Sequence, residues 1–161
     1  MSVKYMVILG LIALNFFCSN LVEAMMPAAA TCTVTTAGLA FGAYNPSSPS
    51  PDDSTATFSI VCTGGPQNNF TLAASAGNSN NILARYMLGP SASQLNYNMY
   101  INSSLTTIWG NGTTGSLITF SGPCRARNNC RATAYGRILA GIYSAAVGSY
   151  SDTITTTLTV N

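Results

Sequence analysis

The amino-acid sequence predicts an all-β protein built as a two-sheet sandwich. Short stretches of alternating apolar and polar residues recur along the chain, and clusters of Gly, Pro, Asn and Ser separate them. No stretch of useful length shows the 3.6-residue periodicity of an amphipathic helix. About eight to ten short strands, spaced roughly ten residues apart with turn residues between them, are typical of an immunoglobulin-like sandwich.

The clearest strand signal lies at 153–160. There Ile154, Leu158 and Val160 alternate with threonines, so one face is predicted to be buried and the other exposed. No further strand signal follows this stretch, and we expect a second protein chain to supply its missing neighbour. Residues 45–54, with their three prolines, predict a surface loop. In chain order the predicted strands cover 32–36, 39–44, 55–62, 70–73, 82–88, 95–101, 108–110, 117–120, 134–139 and 153–160.

The N-terminal region has the pattern of a secretory signal peptide. Lys4 precedes an apolar run over 6–17, and Val22 and Ala24 occupy the positions expected before a cleavage site. The run is too short for a membrane span. We therefore predict a signal peptide at 1–24 and one domain at 25–161, with a second candidate cleavage site after Ala30.

The composition argues against catalysis. Only 6% of the residues are charged and the chain has no histidine, which excludes Ser-His-Asp and Cys-His sites. Asp52 and Asp53 are adjacent in the predicted loop, where neighbouring side chains point apart and make a poor acid–base pair. Asp152 is better explained by turn backbone or an arginine partner. The sequence predicts neither an enzyme nor a bound cofactor.

Four cysteines remain after the predicted signal peptide, which indicates two disulfides in an oxidising compartment. Three pairings are open. We favour Cys32–Cys62 and Cys124–Cys130, because each joins neighbouring strand ends or closes a tight loop. A zinc site is disfavoured because no Cys-x-x-Cys pair occurs.

One candidate binding surface stands out. Arg125, Arg127 and Arg131 cluster in and beside the predicted Cys124–Cys130 loop, and Trp109 precedes an Asn-Gly turn. These residues could contact a polysaccharide or another surface, whereas nucleic-acid binding would require more positive charge. The alternatives are a solvated basic loop and an aromatic side chain in the core.

Eight short motifs occur in order along the predicted domain. They are Cys-Thr-Val at 32–34, Leu-Ala-Phe-Gly-Ala-Tyr-Asn-Pro at 39–46, Ile-Val-Cys at 60–62, Arg-Tyr-Met at 85–87, Leu-Asn-Tyr-Asn-Met-Tyr at 95–100, Trp-Gly at 109–110, Tyr-Gly-Arg-Ile at 135–138 and Gly-Ser-Tyr-Ser-Asp-Thr at 148–153. Together they resemble the spore coat protein U domain family, which includes subunits of archaic, Csu-type chaperone–usher pili.

The resemblance implies an incomplete immunoglobulin-like sandwich that lacks its last strand. A periplasmic chaperone would lend a strand by β-augmentation, and at the outer-membrane usher the N-terminal segment of another pilus subunit would replace it. The protein would thus be secreted through the periplasm to a surface pilus that supports adhesion and biofilm formation. The chaperone would grip the C-terminal carboxylate of Asn161. We predict that the acceptor groove is lined or flanked by Phe58, Ile60, Ile154, Leu158 and Val160.

One feature departs from the family pattern. The segment available to donate a strand, residues 25–31, is short, contains a proline and shows no alternation. Either this segment is a weak donor, or the protein accepts a strand without giving one, and the second case suits a terminal or tip subunit. The alternative function is a self-sufficient secreted domain that binds a surface or polysaccharide through its arginine loop or Trp109. In that case its own N-terminal region would fill the vacant place.

Overall fold

The structure is a computed structural model that describes residues 30–65, 69–125 and 127–160 of the chain. The predicted signal peptide, most of segment 25–31 and Asn161 lie outside the described residues. Within these ranges no helix is long and apolar enough to cross a membrane. The described strands are β1 (Thr31–Thr36), β2 (Asp52–Thr63), β3 (Asn69–Ala74), β4 (Arg85–Leu88), β5 (Gln94–Tyr100), β6 (Ile118–Ser121), β7 (Cys130–Ile138) and β8 (Thr156–Val160).

The strands form two antiparallel sheets. The larger sheet has the order β1-β2-β7-β5-β4, and the smaller has the order β6-β3-β8. Alternate residues of each sheet face a shared core, as the period-two geometry of a strand requires. Members of both sheets, such as Phe58 and Ile60 of β2 and Phe70 and Leu72 of β3, belong to one buried cluster. The predicted all-β sandwich is confirmed.

Both predicted disulfides are present. Cys32 pairs with Cys62 between β1 and β2, and Cys124 pairs with Cys130 across the loop that enters β7. In the chain-entropy model, a loop as long as the one that Cys32–Cys62 closes contributes roughly 3–4 kcal/mol of stability. In the described part of the chain, no group of three or more His, Cys, Asp and Glu residues could hold a metal ion.

The predicted loop at 45–54 was wrong for residues 52–54, because β2 begins at Asp52. Asp53 lies opposite Arg137 of β7, and the two side chains form a bidentate ion pair with both N–O distances at 2.7 Å. The guanidinium lowers the pKa of the Asp53 carboxyl. A cross-strand partner therefore extends the strand into a stretch whose prolines and serines signalled a loop.

Residues 39–44 do not form the predicted strand. Gly38 and Gly42 both have a φ of 76°, in the left-handed region, so this backbone cannot continue an extended ladder. Residues 37–44, which we call the crossing segment, run from β1 over the inner face of the larger sheet. The predicted strand at 108–110 is likewise reduced to isolated bridges at Ile108 and Trp109.

Candidate functional site

Strand β8 has an open edge. In the described chain it pairs only with β3. Ser75 N donates to Thr155 O, whereas Ala74 N turns away and donates to Gly110 O. Because hydrogen-bonding direction alternates along an antiparallel pair, Thr155, Thr157 and Thr159 direct their backbone groups toward β3. The N–H and C=O groups of the intervening residues point outward. These three outward-facing residues, which we call the free edge, are Thr156, Leu158 and Val160.

An open groove of about 420 Å³ lies between the crossing segment and the residues that lead into β8. Its floor belongs mainly to the inner face of the larger sheet and is largely apolar. The walls are residues 36–41 on one side and 150–156 on the other. The floor includes Ala56, Phe58, Tyr97, Met99, Trp109 and Ala134. The groove therefore combines an apolar floor with a wall that continues into the free edge.

The first wall is held by side chains instead of a strand ladder. Leu39 and Phe41 pack over Gly136 of β7, where an added Cβ would lie 2.9 Å from Leu39 Cδ1 and 2.8 Å from Phe41 Cζ. The Tyr44 hydroxyl donates to Leu139 O at 2.8 Å and accepts from Ile142 N at 2.9 Å. These contacts keep the crossing segment against β7 without closing the groove.

Asp152 fixes the second wall. Its Oδ1 accepts from Asn78 N at 2.8 Å and Thr153 N at 2.7 Å, and its Oδ2 accepts from the Tyr97 hydroxyl at 2.8 Å. Burial and the hydrogen bond to this carboxylate raise the pKa of Tyr97 well above its usual value. The carboxylate thus ties the chain entering β8 to β5 and to the turn at Asn78. Turn backbone is its main partner, as the sequence indicated.

Gly77 makes this carboxylate contact sterically possible. It has a φ of 64°, and a Cβ added there would collide with the Asp152 carboxylate. We expect Gly77→Ala to cost about 1–2 kcal/mol for the left-handed backbone and about 1–3 kcal/mol more for displacing the carboxylate.

Gly42→Ala is the matched control for that substitution. Gly42 has a φ of 76° and nothing within 4 Å of an added Cβ, so only the backbone cost applies. Urea denaturation of both variants measures the difference. Equal losses of stability would show that the Asp152 contact contributes nothing.

The predicted groove residues occupy two kinds of position. Phe58 and Ile154 line the groove. Ile60 is fully buried beside it, and Leu158 and Val160 are half-buried on the inner face of β8, opposite Leu72 and Phe70. The alternation predicted for β8 is confirmed, because Thr157 and Thr159 are exposed. Whether these residues accept a strand stays a prediction, as does the role of Asn161.

Trp109 is not a surface residue, and its predicted place in a binding surface was wrong. Its side chain is 1% exposed and packs edge-on against Phe58 with ring centroids 5.3 Å apart. Its indole Nε1 donates to Leu72 O at 2.9 Å. By contrast Arg125, Arg127 and Arg131 are exposed, and their role in surface binding stays a prediction.

The sequence analysis missed one buried cation. Arg85 of β4 has an exposure of 0% and hydrogen-bonds to Ser75, Ile82 and Asn98. An arginine within the otherwise apolar stretch 82–88 was the available signal. This signal did not lead to a prediction of burial, because an arginine in a strand normally extends its charge into water.

Comparison with protein families gives a match to the Spore Coat Protein U (SCPU) domain over residues 19–157. This chain belongs to the SCPU domain family. The match spans strands β1 to β7, the first two residues of β8 and all four paired cysteines. The resemblance drawn from the ordered motifs is therefore confirmed for the family.

The SCPU domain is also similar to a chain in the crystal structure of a CsuC–CsuE chaperone–tip adhesion subunit pre-assembly complex, from archaic chaperone–usher Csu pili of Acinetobacter baumannii. The sequence identity is 20% and the TM-score is 0.49. The similarity covers 81% of the SCPU chain and 39% of the other chain. No curated protein matches the SCPU chain.

Proposed function

We propose that this SCPU domain is a structural subunit of an archaic chaperone–usher pilus and that it accepts a β-strand from another protein. The observation that carries the proposal is the free edge of β8 beside a groove with an apolar floor. Unpaired strand edges promote aggregation unless they are covered. A strand inserted beside Thr156, Leu158 and Val160 would complete the backbone hydrogen bonds of this edge.

The occupant is a strand lent first by a periplasmic chaperone and then, at the outer-membrane usher, by another pilus subunit. Family membership and the ordered motifs support this choice of partners. The first described strand does not fill the place itself, because β1 pairs with β2 in the larger sheet. The protein would act at the cell surface in adhesion and biofilm formation, as a terminal or tip subunit, without catalytic activity.

Co-expression tests the proposal directly. We expect the full chain, secreted alone into the periplasm, to aggregate or be degraded. With its cognate periplasmic chaperone, sought among the neighbouring genes, it should yield a soluble one-to-one complex, measured by size-exclusion chromatography with light scattering. A stable soluble monomer that does not bind the chaperone would contradict the proposal.

Arginine-loop variants separate the proposed function from the alternative of a self-sufficient binding domain. Changing Arg125, Arg127 and Arg131 together to serine should leave the chaperone complex intact, because these exposed residues do not line the groove. The same variant would lose polysaccharide binding if the loop were the functional surface. This variant therefore serves as a control in every strand-capture assay.

A further inference from the structure

The guanidinium of Arg85 connects the two sheets at the point where β8 begins. Nε and Nη2 donate to Ser75 O at 3.1 and 2.7 Å, and Nη1 donates to Ile82 O at 3.2 Å and Asn98 Oδ1 at 2.9 Å. Arg85 and Asn98 belong to the larger sheet, whereas Ser75 directly follows β3 of the smaller sheet. The contact is a fixed fork because the guanidinium is planar.

Ser75 in turn holds the residue that precedes β8. Its N–H donates to Thr155 O at 3.0 Å, and its hydroxyl oxygen accepts from Thr155 N at 2.9 Å. Thr155 therefore has both backbone groups bound to one residue, and that residue's carbonyl is bound twice by Arg85. Thr156 is the first residue of the free edge. The position of that edge therefore depends on the hydrogen bonds that link Arg85 to Ser75 and Ser75 to Thr155.

Stability alone gives a poor reason for a cation at this position. Within the described ranges the ion pair that forms is Arg137–Asp53, so Arg85 has no carboxylate within 4.0 Å. Burial lowers the pKa of the Arg85 guanidinium. Well-packed apolar side chains often stabilise an interior as well as a buried charge does. What an apolar side chain lacks is the directional link between two sheets.

We propose that Arg85 is a positioning residue for strand capture, which holds the free edge of β8 at its distance from the larger sheet while the groove is empty. The proposal rests on the strand-accepting function proposed above. Asn98 orients the guanidinium, because its Oδ1 accepts from Arg85 while its Nδ2 donates to Leu83 O at 3.0 Å. Without Arg85, β3 and β8 would still pair, but the edge would no longer be held for an incoming strand.

Hydrogen exchange of the refolded full chain, measured at low protein concentration, tests the positioning role. The variants are Arg85→Met, which removes the charge and the fork, and Arg85→Lys, which keeps the charge alone. We expect the amides of Thr157 and Thr159, which face β3, to exchange at least about tenfold faster in Arg85→Met, with amides of β2 and β7 unchanged. Arg85→Lys should fall between wild type and Arg85→Met.

Arg137→Met is the matched control, because it removes an arginine from the same sheet at a partly exposed position. It should leave exchange in β8 unchanged. If amides throughout the Arg85 variants exchange faster, Arg85 contributes to global stability and the proposal is overturned. If exchange in β8 is unchanged, Arg85 does not position β8, and the proposal is overturned as well. Failure of both Arg85 variants to fold would also overturn the proposal, since β3 and β8 are expected to pair without the fork.

The second measurement is the yield of chaperone complex. Arg85→Met should form at least about tenfold less complex than Arg137→Met at equal chaperone concentration. Full yield combined with faster exchange in β8 would show that the position of the edge does not control capture, and would overturn the proposal. If wild type itself forms no complex, the pilus function fails, while the exchange results still decide whether Arg85 positions β8.

Discussion

Thr156→Pro should strongly weaken strand capture while leaving the domain folded. The N–H of Thr156 points to the free edge and not to β3, so proline removes a hydrogen bond that only an incoming strand would make. Proline is tolerated at the first residue of a strand and on an edge. The extended residue before it, Thr155, meets the backbone preference of a residue that precedes proline.

The yield of chaperone complex should fall at least about tenfold, because one hydrogen bond is lost and the pyrrolidine ring obstructs the edge. The urea unfolding midpoint should change little. Thr156→Val, which keeps the N–H and a β-branched side chain, should form the complex normally. Normal capture by Thr156→Pro would mean that partners do not pair with β8.

Trp109→Ala should cause the largest loss of stability among the substitutions considered. The side chain fills the core against Phe58, and its indole satisfies the carbonyl of Leu72. Truncation leaves a cavity and removes the hydrogen bond from the indole to Leu72 O, and we expect a loss of about 3–5 kcal/mol in the free energy of unfolding. Urea denaturation of the refolded chain measures it.

Trp109→Phe keeps most of the apolar volume but removes the indole N–H. Its expected cost is about 0.5–1.5 kcal/mol, mainly from the lost hydrogen bond to the carbonyl of Leu72. The two variants thus separate packing from hydrogen bonding. A loss below about 0.5 kcal/mol in Trp109→Ala would contradict the packing role of Trp109 in the core.

The strands that the sequence predicted best are those with one buried and one exposed face. In β8, half-buried Leu158 and Val160 alternate with exposed Thr157 and Thr159, so the period of two is visible in the residue types. The disulfides followed from an even number of cysteines and from the expectation that each bridge joins neighbouring strand ends or closes a tight loop.

The predictions that were wrong mostly concern features that depend on residues far away in the sequence. Asp53 belongs to a strand because Arg137 lies opposite it, 84 residues away in the sequence. The crossing segment has the composition of a strand, yet positive φ at Gly38 and Gly42 takes it out of the ladder. Arg85 is buried because Ser75 and Asn98 converge on it. No local sequence pattern predicts these long-range contacts.

The position of β8 in the sequence also determines when β8 can pair during folding. Its partner β3 lies far upstream, with Phe70 opposite Val160, and the other seven described strands precede β8. Such long-range pairings form late, because loop closure must precede them. Before β8 docks, β3 has no neighbour on that side and no free edge of β8 exists. A partner that recognises this edge would therefore bind only chains in which β8 has already paired with β3.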